Sequence, residues 1–316
     1  MMRLVLVELR RFFSRRLTKF ACLGVLVILA FTLFGVQQQA LESVPSRVQE
    51  RIQQQVQQCE AAQAQQRQQD AGADFRCAEI ATHMQQERVS FVGVTRDLTQ
   101  TLAVLFAFVG FLIGATFLAA EFASGAIGNW LTFEPRRTRV YFSKLAGAAL
   151  GSVPITIACL GILTAGVAFF TNRYGVAGTM AAGERNELLW LAVRIVVITA
   201  AATVGGAVLG ALLRNTAAAL GVTVGYVILV EAIFPSLIQR FLSDPTPWLV
   251  RGNFQAWVSH GLTYFLNSCS GTPGPEMACE RVKHTVSFAH GSIYLGVLMV
   301  AFTALGAWVF SRRDVN

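Results

Sequence analysis

The residues able to do chemistry in this chain are few, and their spacing does not suit enzymatic work. The four histidines, His83, His260, His284 and His290, show no metal-ligand spacing. His83 and Glu87 lie four apart as H-M-Q-Q-E. That is not the H-E-x-x-H pattern, which sets two imidazoles and a general base on one helix face. The only lysines are Lys19, Lys144 and Lys283, and none follows the glycines of a phosphate loop. The sequence therefore offers no such route to ATP hydrolysis. No G-x-S-x-G nucleophile turn is present either. An enzyme is disfavoured, and we expect no metal and no cofactor on this chain.

Cysteines offer redox chemistry instead. Cys59 and Cys77 share one polar segment and Cys269 and Cys279 another, while Cys22 and Cys159 fall inside apolar stretches. The topology set out below puts both pairs on the outer side. This points to two disulfides in an oxidising compartment, each stabilising by about 2–4 kcal/mol. The alternative is four free thiols. Two charges also sit within apolar stretches. Glu231 and Arg194 lie about ten and about six residues from the outer ends of their segments, at about 1.5 Å per residue. A charge near mid-bilayer costs at least about 2.5–3.5 kcal/mol, so an Arg194–Glu231 pair is expected. The alternative is Arg194 snorkelling outward, with Glu231 protonated or facing a wet cavity.

The elements that position these residues are membrane spans. Of the 316 residues, 54% are hydrophobic and 14% charged. Soluble chains run about 25% charged, so a soluble globule is excluded. A spanning helix needs about 20 mainly apolar residues, and six stretches qualify: 20–36, 98–120, 145–171, 188–213, 216–241 and 292–310. The first is short enough for a signal-peptide core. It continues as Gly35-Val36-Gln37-Gln38 without a small-residue cleavage site, so we read an uncleaved span. The side holding 1–19, 121–144, the turn at Arg214 and 311–316 carries 13 basic and four acidic residues, against 11 and 13 opposite. The basic side is therefore expected to be cytoplasmic, with both termini inside. The net charge of +8 then reads as charge facing the inner leaflet and its lipid, and no nucleic-acid partner is expected.

Outside the spans, 1–19 reads as an amphipathic helix on the membrane surface, with Arg11, Arg15 and Lys19 on one face; the alternative is a plain basic flank. The Gln-rich segment 37–97 reads as two helices around the Asp70–Asp74 break, clipped by Cys59–Cys77. Its sparse apolar face (Val44, Val48, Ile52, Val56) fits an extracytoplasmic partner or the second helix, and low-complexity disorder is the alternative. Segment 242–291 is rich in Pro and Gly, and Trp248 and Trp257 are read as interfacial anchors. Four G-x-x-x-G pairs (Gly110–Gly114, Gly147–Gly151, Gly206–Gly210, Gly221–Gly225) imply close helix packing, within the chain or between copies.

The most informative stretch is 121–145, EFASGAIGNWLTFEPRRTRVYFSKL. An acid ends the second span, a Ser-Gly pair follows, and Ile127, Trp130, Leu131 and Phe133 form an apolar patch. Glu134-Pro135 breaks the helix before Arg136, Arg137, Arg139 and Lys144. An exposed apolar patch needs cover, from headgroups or from another protein. Here the chain resembles the ABC-2 type permease family, membrane subunits of many bacterial ABC exporters. Glu121, Phe122, Gly125, Ile127, Asn129, Leu131, Thr132, Pro135, Arg137 and Lys144 match that family's segment between spans two and three. The tail Phe310-Ser311-Arg312-Arg313-Asp314-Val315 resembles the family's tail. The long Gln-rich first outer segment is a departure.

The resemblance implies an all-α membrane protein of six spans, with an N-terminal connecting helix and an extracytoplasmic helical insertion. It implies a coupling helix, with Glu121, Phe122, Gly125, Ile127, Asn129, Trp130, Leu131, Pro135 and Arg137 docking on a separate ATPase. Two copies of that ATPase would carry ATP and Mg, beside a second permease copy or a homologous permease. The setting would be a bacterial cell membrane, and the cargo an amphipathic drug, antibiotic, peptide or lipid moved outward. The alternative is a mechanotransmitter that drives an outer partner without moving solute.

Overall fold

In a computed structural model, the protein is described over residues 2–67, 90–133, 136–174, 180–238, 244–270 and 278–312. Cys77, Pro135 and the Asp70–Asp74 break lie outside the described residues. Thirteen elements concern us: α1 (Met2–Ser14), α2 (Arg16–Glu42), α3 (Pro45–Arg67), α4 (Phe91–Ala123), α5 (Ala126–Phe133), α6 (Arg137–Arg173), α7 (Ala182–Leu213), α8 (Thr216–Tyr226), α9 (Phe234–Ile238), α10 (Val250–Val258), β1 (Leu262–Ser270), β2 (Ala278–Val286) and α11 (Phe288–Arg312). A π-helical stretch, Val227–Ile233, joins α8 to α9. Six helical stretches are long and apolar enough to cross a membrane: Arg16–Glu42, Phe91–Ala123, Arg137–Arg173, Ala182–Leu213, Thr216–Leu237 and Phe288–Arg312. Most run several residues beyond the apolar cores seen in sequence, because polar residues continue a helix once it is nucleated.

Contacts divide the chain into two compact units. One comprises Met1–Cys22, Gln100–Ile157 and Trp190–Asn316. Its core gathers Phe12, Phe117, Leu118, Ile127, Tyr141, Leu145, Val208 and Phe310. These residues come from α1, the end of α4, α5, the start of α6, the end of α7 and the end of α11. Glycines permit that approach. A Cβ at Gly114 would overlap the Thr203 carbonyl, one at Gly206 the Phe111 carbonyl, and one at Gly210 the Ala115 carbonyl. So α4 and α7 pack backbone to backbone. Nothing lies within 4 Å of a Cβ at Gly221 or Gly225.

The other unit comprises Leu23–Thr99 and Ala158–Leu189. It holds α3, which starts on Pro45, where the missing N–H costs nothing. Ile52 is the buried member of its apolar stripe. Arg96 pairs with Glu187 at 2.6 Å, and a Cβ at Gly166 would meet Leu33 Cδ1 at 2.6 Å.

Segment 242–291 is more ordered than its Pro and Gly content suggests. A 3-10 turn at Thr246–Trp248 leads into α10, and β1 and β2 form an antiparallel hairpin. This hairpin is the one sheet among the described residues, and the architecture remains all-α.

Candidate functional site

The site grows from the end of α4. Ser124 and Gly125 turn the chain, with the Gly125 amide donating to the Phe122 carbonyl at 3.1 Å. Gly125 has φ +68°, in the left-handed region that a side chain resists. The turn releases α5 at a new angle and sends Ile127 inward. Ile127 is 0% exposed, in the cluster with Phe117, Leu118 and Tyr141. The expected apolar patch is thus partly covered by the chain itself. Phe122 is half-buried; its ring meets Phe310 edge-on at 6.0 Å and lies 5.0 Å below the Arg214 guanidinium. Asn129, Trp130 and Leu131 lie on α5 beyond Ile127, and Arg137 opens α6.

Glu121 does not face outward. Its carboxylate is 3% exposed and sits in a network of four charged side chains. One oxygen accepts from Arg15 Nη2 at 2.9 Å, and the other from Lys144 Nζ. Lys144, 0% exposed, also donates to Glu8 Oε1 at 2.9 Å. Arg15 reaches further, donating from Nη1 to the Thr116 carbonyl at 3.2 Å and stacking 4.5 Å over Phe117. Burial lowers the Arg15 pKa from its ordinary value while Glu121 pulls it back up, and a guanidinium stays charged. Two carboxylates and two cations out of water require this mutual arrangement.

Small residues let the network form. Glu8 and Phe12 of α1 seat on Gly147 and Gly151 of α6, where an added Cβ would come within 2.6 Å of either side chain. The surface helix expected at 1–19 is therefore docked on one face, while Leu6, Val7 and Phe13 are exposed on the other. It also ends at Ser14, so Lys19 belongs to α2 rather than to its basic face. The sequence reading gave Glu8, Arg15 and Lys144 no role in the site. The available signals were an acid alone in a basic tail, and a lysine in a chain that has three.

Among the described residues, Arg194 and Glu231 form no ion pair with each other. Glu231 accepts from the Tyr226 hydroxyl at 2.8 Å and from the backbone amides of Val250 at 3.0 Å and Arg251 at 3.2 Å. Those amides are the first of α10, and no residue adjacent in sequence caps that helix. Glu231 therefore serves as its N-terminal anion, a favourable partner for the helix dipole. Arg194 donates from Nε to the Trp190 carbonyl at 3.3 Å. Trp257 donates to the Arg194 carbonyl at 3.1 Å and stacks on Phe288 at 5.1 Å, so it packs internally, whereas Trp248 is exposed as an anchor would be.

Near the hairpin, Tyr264 donates to Asp244, which His284 Nδ1 approaches at 3.3 Å. Burial and the Asp244 bond push the Tyr264 hydroxyl up to about 12. Cys269 and Cys279 are opposite each other in the β1–β2 register. Cys22 and Cys159 are not in disulfides. Among the described residues no cluster of three or more His, Cys, Asp or Glu could hold a metal ion.

The comparisons agree with this arrangement of spans around a short helix. The family model described as ABC-2 family transporter protein matches residues 8–315, nearly the whole chain. No curated protein matches it. A match of that extent includes the second half of α1, α5 and all six long apolar helices, and the chain therefore belongs to the ABC-2 family of transporter membrane proteins.

Proposed function

We propose that the chain is the permease subunit of an ATP-driven exporter and that α5 is the contact for a separate ATPase. The observation that carries this reading is the bridge made by Lys144 between Glu8 of α1 and Glu121 at the end of α4. A short helix at a membrane boundary, joined by the Gly125 turn to α4, whose end is tied through buried charges to α1 and α6, is suited to receive force. A push on α5 reaches α4 through the Gly125 turn and α1 and α6 through Lys144. Coupling requires the ATPase to bind two permease states with different affinity. Two ATPase copies carry ATP and Mg, and a second permease, identical or homologous, completes the pathway. The basic side faces the cytoplasm, with both termini inside a bacterial cell membrane. The cargo is an amphipathic drug, antibiotic, peptide or lipid, moved outward.

On the outer side, this reading gives disulfides at Cys59–Cys77 and Cys269–Cys279. The facing register of the second pair supports it, as does the absence of Cys59 from the free cysteines.

Gly128 provides the test. It lies on α5, and a Cβ there meets nothing within 4 Å. Gly128→Cys, charged with a short cysteine-to-amine crosslinker in native membranes, should capture a nucleotide-binding subunit. A bulky maleimide at the same position should lower ATP hydrolysis and efflux together. No capture, with hydrolysis and efflux untouched by the maleimide, would refute the docking role.

A further inference from the structure

The break between α1 and α2 opens a cavity of about 320 Å³ that the coupling reading does not use. Arg15, Arg16, Leu17 and Thr18 line it from the junction, and Ala120 and Thr216 from α4 and α8. Its chemistry is mixed. Arg16 is exposed and makes no ion pair among the described residues. Arg15 commits two of its five donors, to Glu121 and the Thr116 carbonyl, and keeps the rest.

Thr18 is the second, independent observation. It is 3% exposed and lines the cavity, yet its hydroxyl has no hydrogen-bond partner among the described residues. Its oxygen opens to the cavity rather than to the protein interior, so it can donate to a ligand bound there. Thr216 is the first residue of α8, whose leading amides at Ala217 and Ala218 donate to Asn215 Oδ1, so its contribution to the site is its place on the wall. Leu17 and Ala120 supply an apolar wall beside this polar end. The cavity lies where α2, α4 and α8 begin or end, at the level expected for headgroups.

An anion with an attached apolar body fits such a site better than a free anion, which would leave the Leu17 and Ala120 wall uncovered. We propose that this cavity binds an anionic glycerophospholipid. The phosphate sits between Arg16 and the Thr18 hydroxyl, and the glycerol and first acyl carbons run along Leu17 and Ala120. The proposal does not depend on ATPase docking.

The test uses the full chain, purified in detergent and equilibrated with mixed micelles of equal phosphatidylglycerol and phosphatidylcholine. Retained lipid is counted by native mass spectrometry. Phosphatidylglycerol should be retained in preference. Thr18→Val and Arg16→Gln should each lower its retention by roughly fivefold. Lys19→Gln removes a charge just outside the cavity and should change retention far less. Equal retention of the two lipids would overturn the proposal, as would an Arg16→Gln effect no larger than that of Lys19→Gln. Inorganic phosphate that binds by equilibrium dialysis and is lost in Thr18→Val, with no phosphatidylglycerol retained, would make the ligand free phosphate and overturn the lipid assignment.

Discussion

Lys144→Met removes the one side chain among the described residues that bonds to both Glu8 and Glu121. The consequences for the two acids differ. Glu121 keeps Arg15 at 2.9 Å. Glu8, 2% exposed, loses the ammonium on Oε1, and its Oε2 already has no hydrogen-bond partner. Methionine fills similar volume, so packing changes little and the loss is electrostatic. Removing one member of a buried pair costs about 3–5 kcal/mol, because a charge is left without compensation. Adding Glu8→Gln replaces that charge by a neutral amide, whose unmet bonds cost only about 1–3 kcal/mol. The double variant should therefore recover roughly 2 kcal/mol relative to Lys144→Met. Unfolding titrations in mixed micelles, followed by tryptophan fluorescence, would measure both values. A loss below about 1 kcal/mol for Lys144→Met, or a double variant weaker than the single one, would refute the buried network as the tie between α1 and α4.

The glycine contacts separate tight from open helix faces. Gly206→Ala drives a methyl into the Phe111 carbonyl and should destabilise by at least the 1–3 kcal/mol typical of overpacking, while Gly221→Ala should be neutral or slightly stabilising in the same titration. Glu231→Gln removes the anion at the start of α10. It should weaken that helix by about 0.3–2 kcal/mol, read as faster hydrogen exchange at the Val250 and Arg251 amides. Tyr264 should titrate near 12 rather than 10 by ultraviolet difference absorption. Because its folded pKa is raised, the stability that it contributes is complete below pH 10 and disappears as pH passes through 12. In Asp244→Asn the titration should move back toward 10.

Much of this protein was legible because a bilayer leaves few options. Unpaired backbone in lipid is so costly that each apolar run of adequate length must be a helix, and six such runs became six long helices. The Gly125 turn was legible from its Ser-Gly pair, and α5 from the motif around it. Side-chain pairing was less accessible. Glu231 and Arg194 looked like partners because depth along a span is readable and azimuth is not. The amides that hold Glu231 belong to α10, inside a segment whose Pro and Gly suggested a loop. Ile127 looked exposed because an eight-residue helix gives too little periodicity to show which side meets its own chain. The network was missed for the same reason. Glu8 and Lys144 are 136 positions apart, and only the fit of α1 against Gly147 and Gly151 brings them together.

The most direct measurement is a distance. Spin labels at Ser14→Cys and Gly128→Cys, in a background lacking Cys22 and Cys159, would report α1 against α5 in the assembled transporter. If buried charges hold α1 to α4, and the Gly125 turn and the packing of Ile127 hold α5 to α4, the distance distribution stays unchanged between nucleotide-free and ATP-trapped states, and broadens in Lys144→Met. A shift of the distribution on ATP trapping in the protein with Lys144 intact would contradict force transfer through that tie.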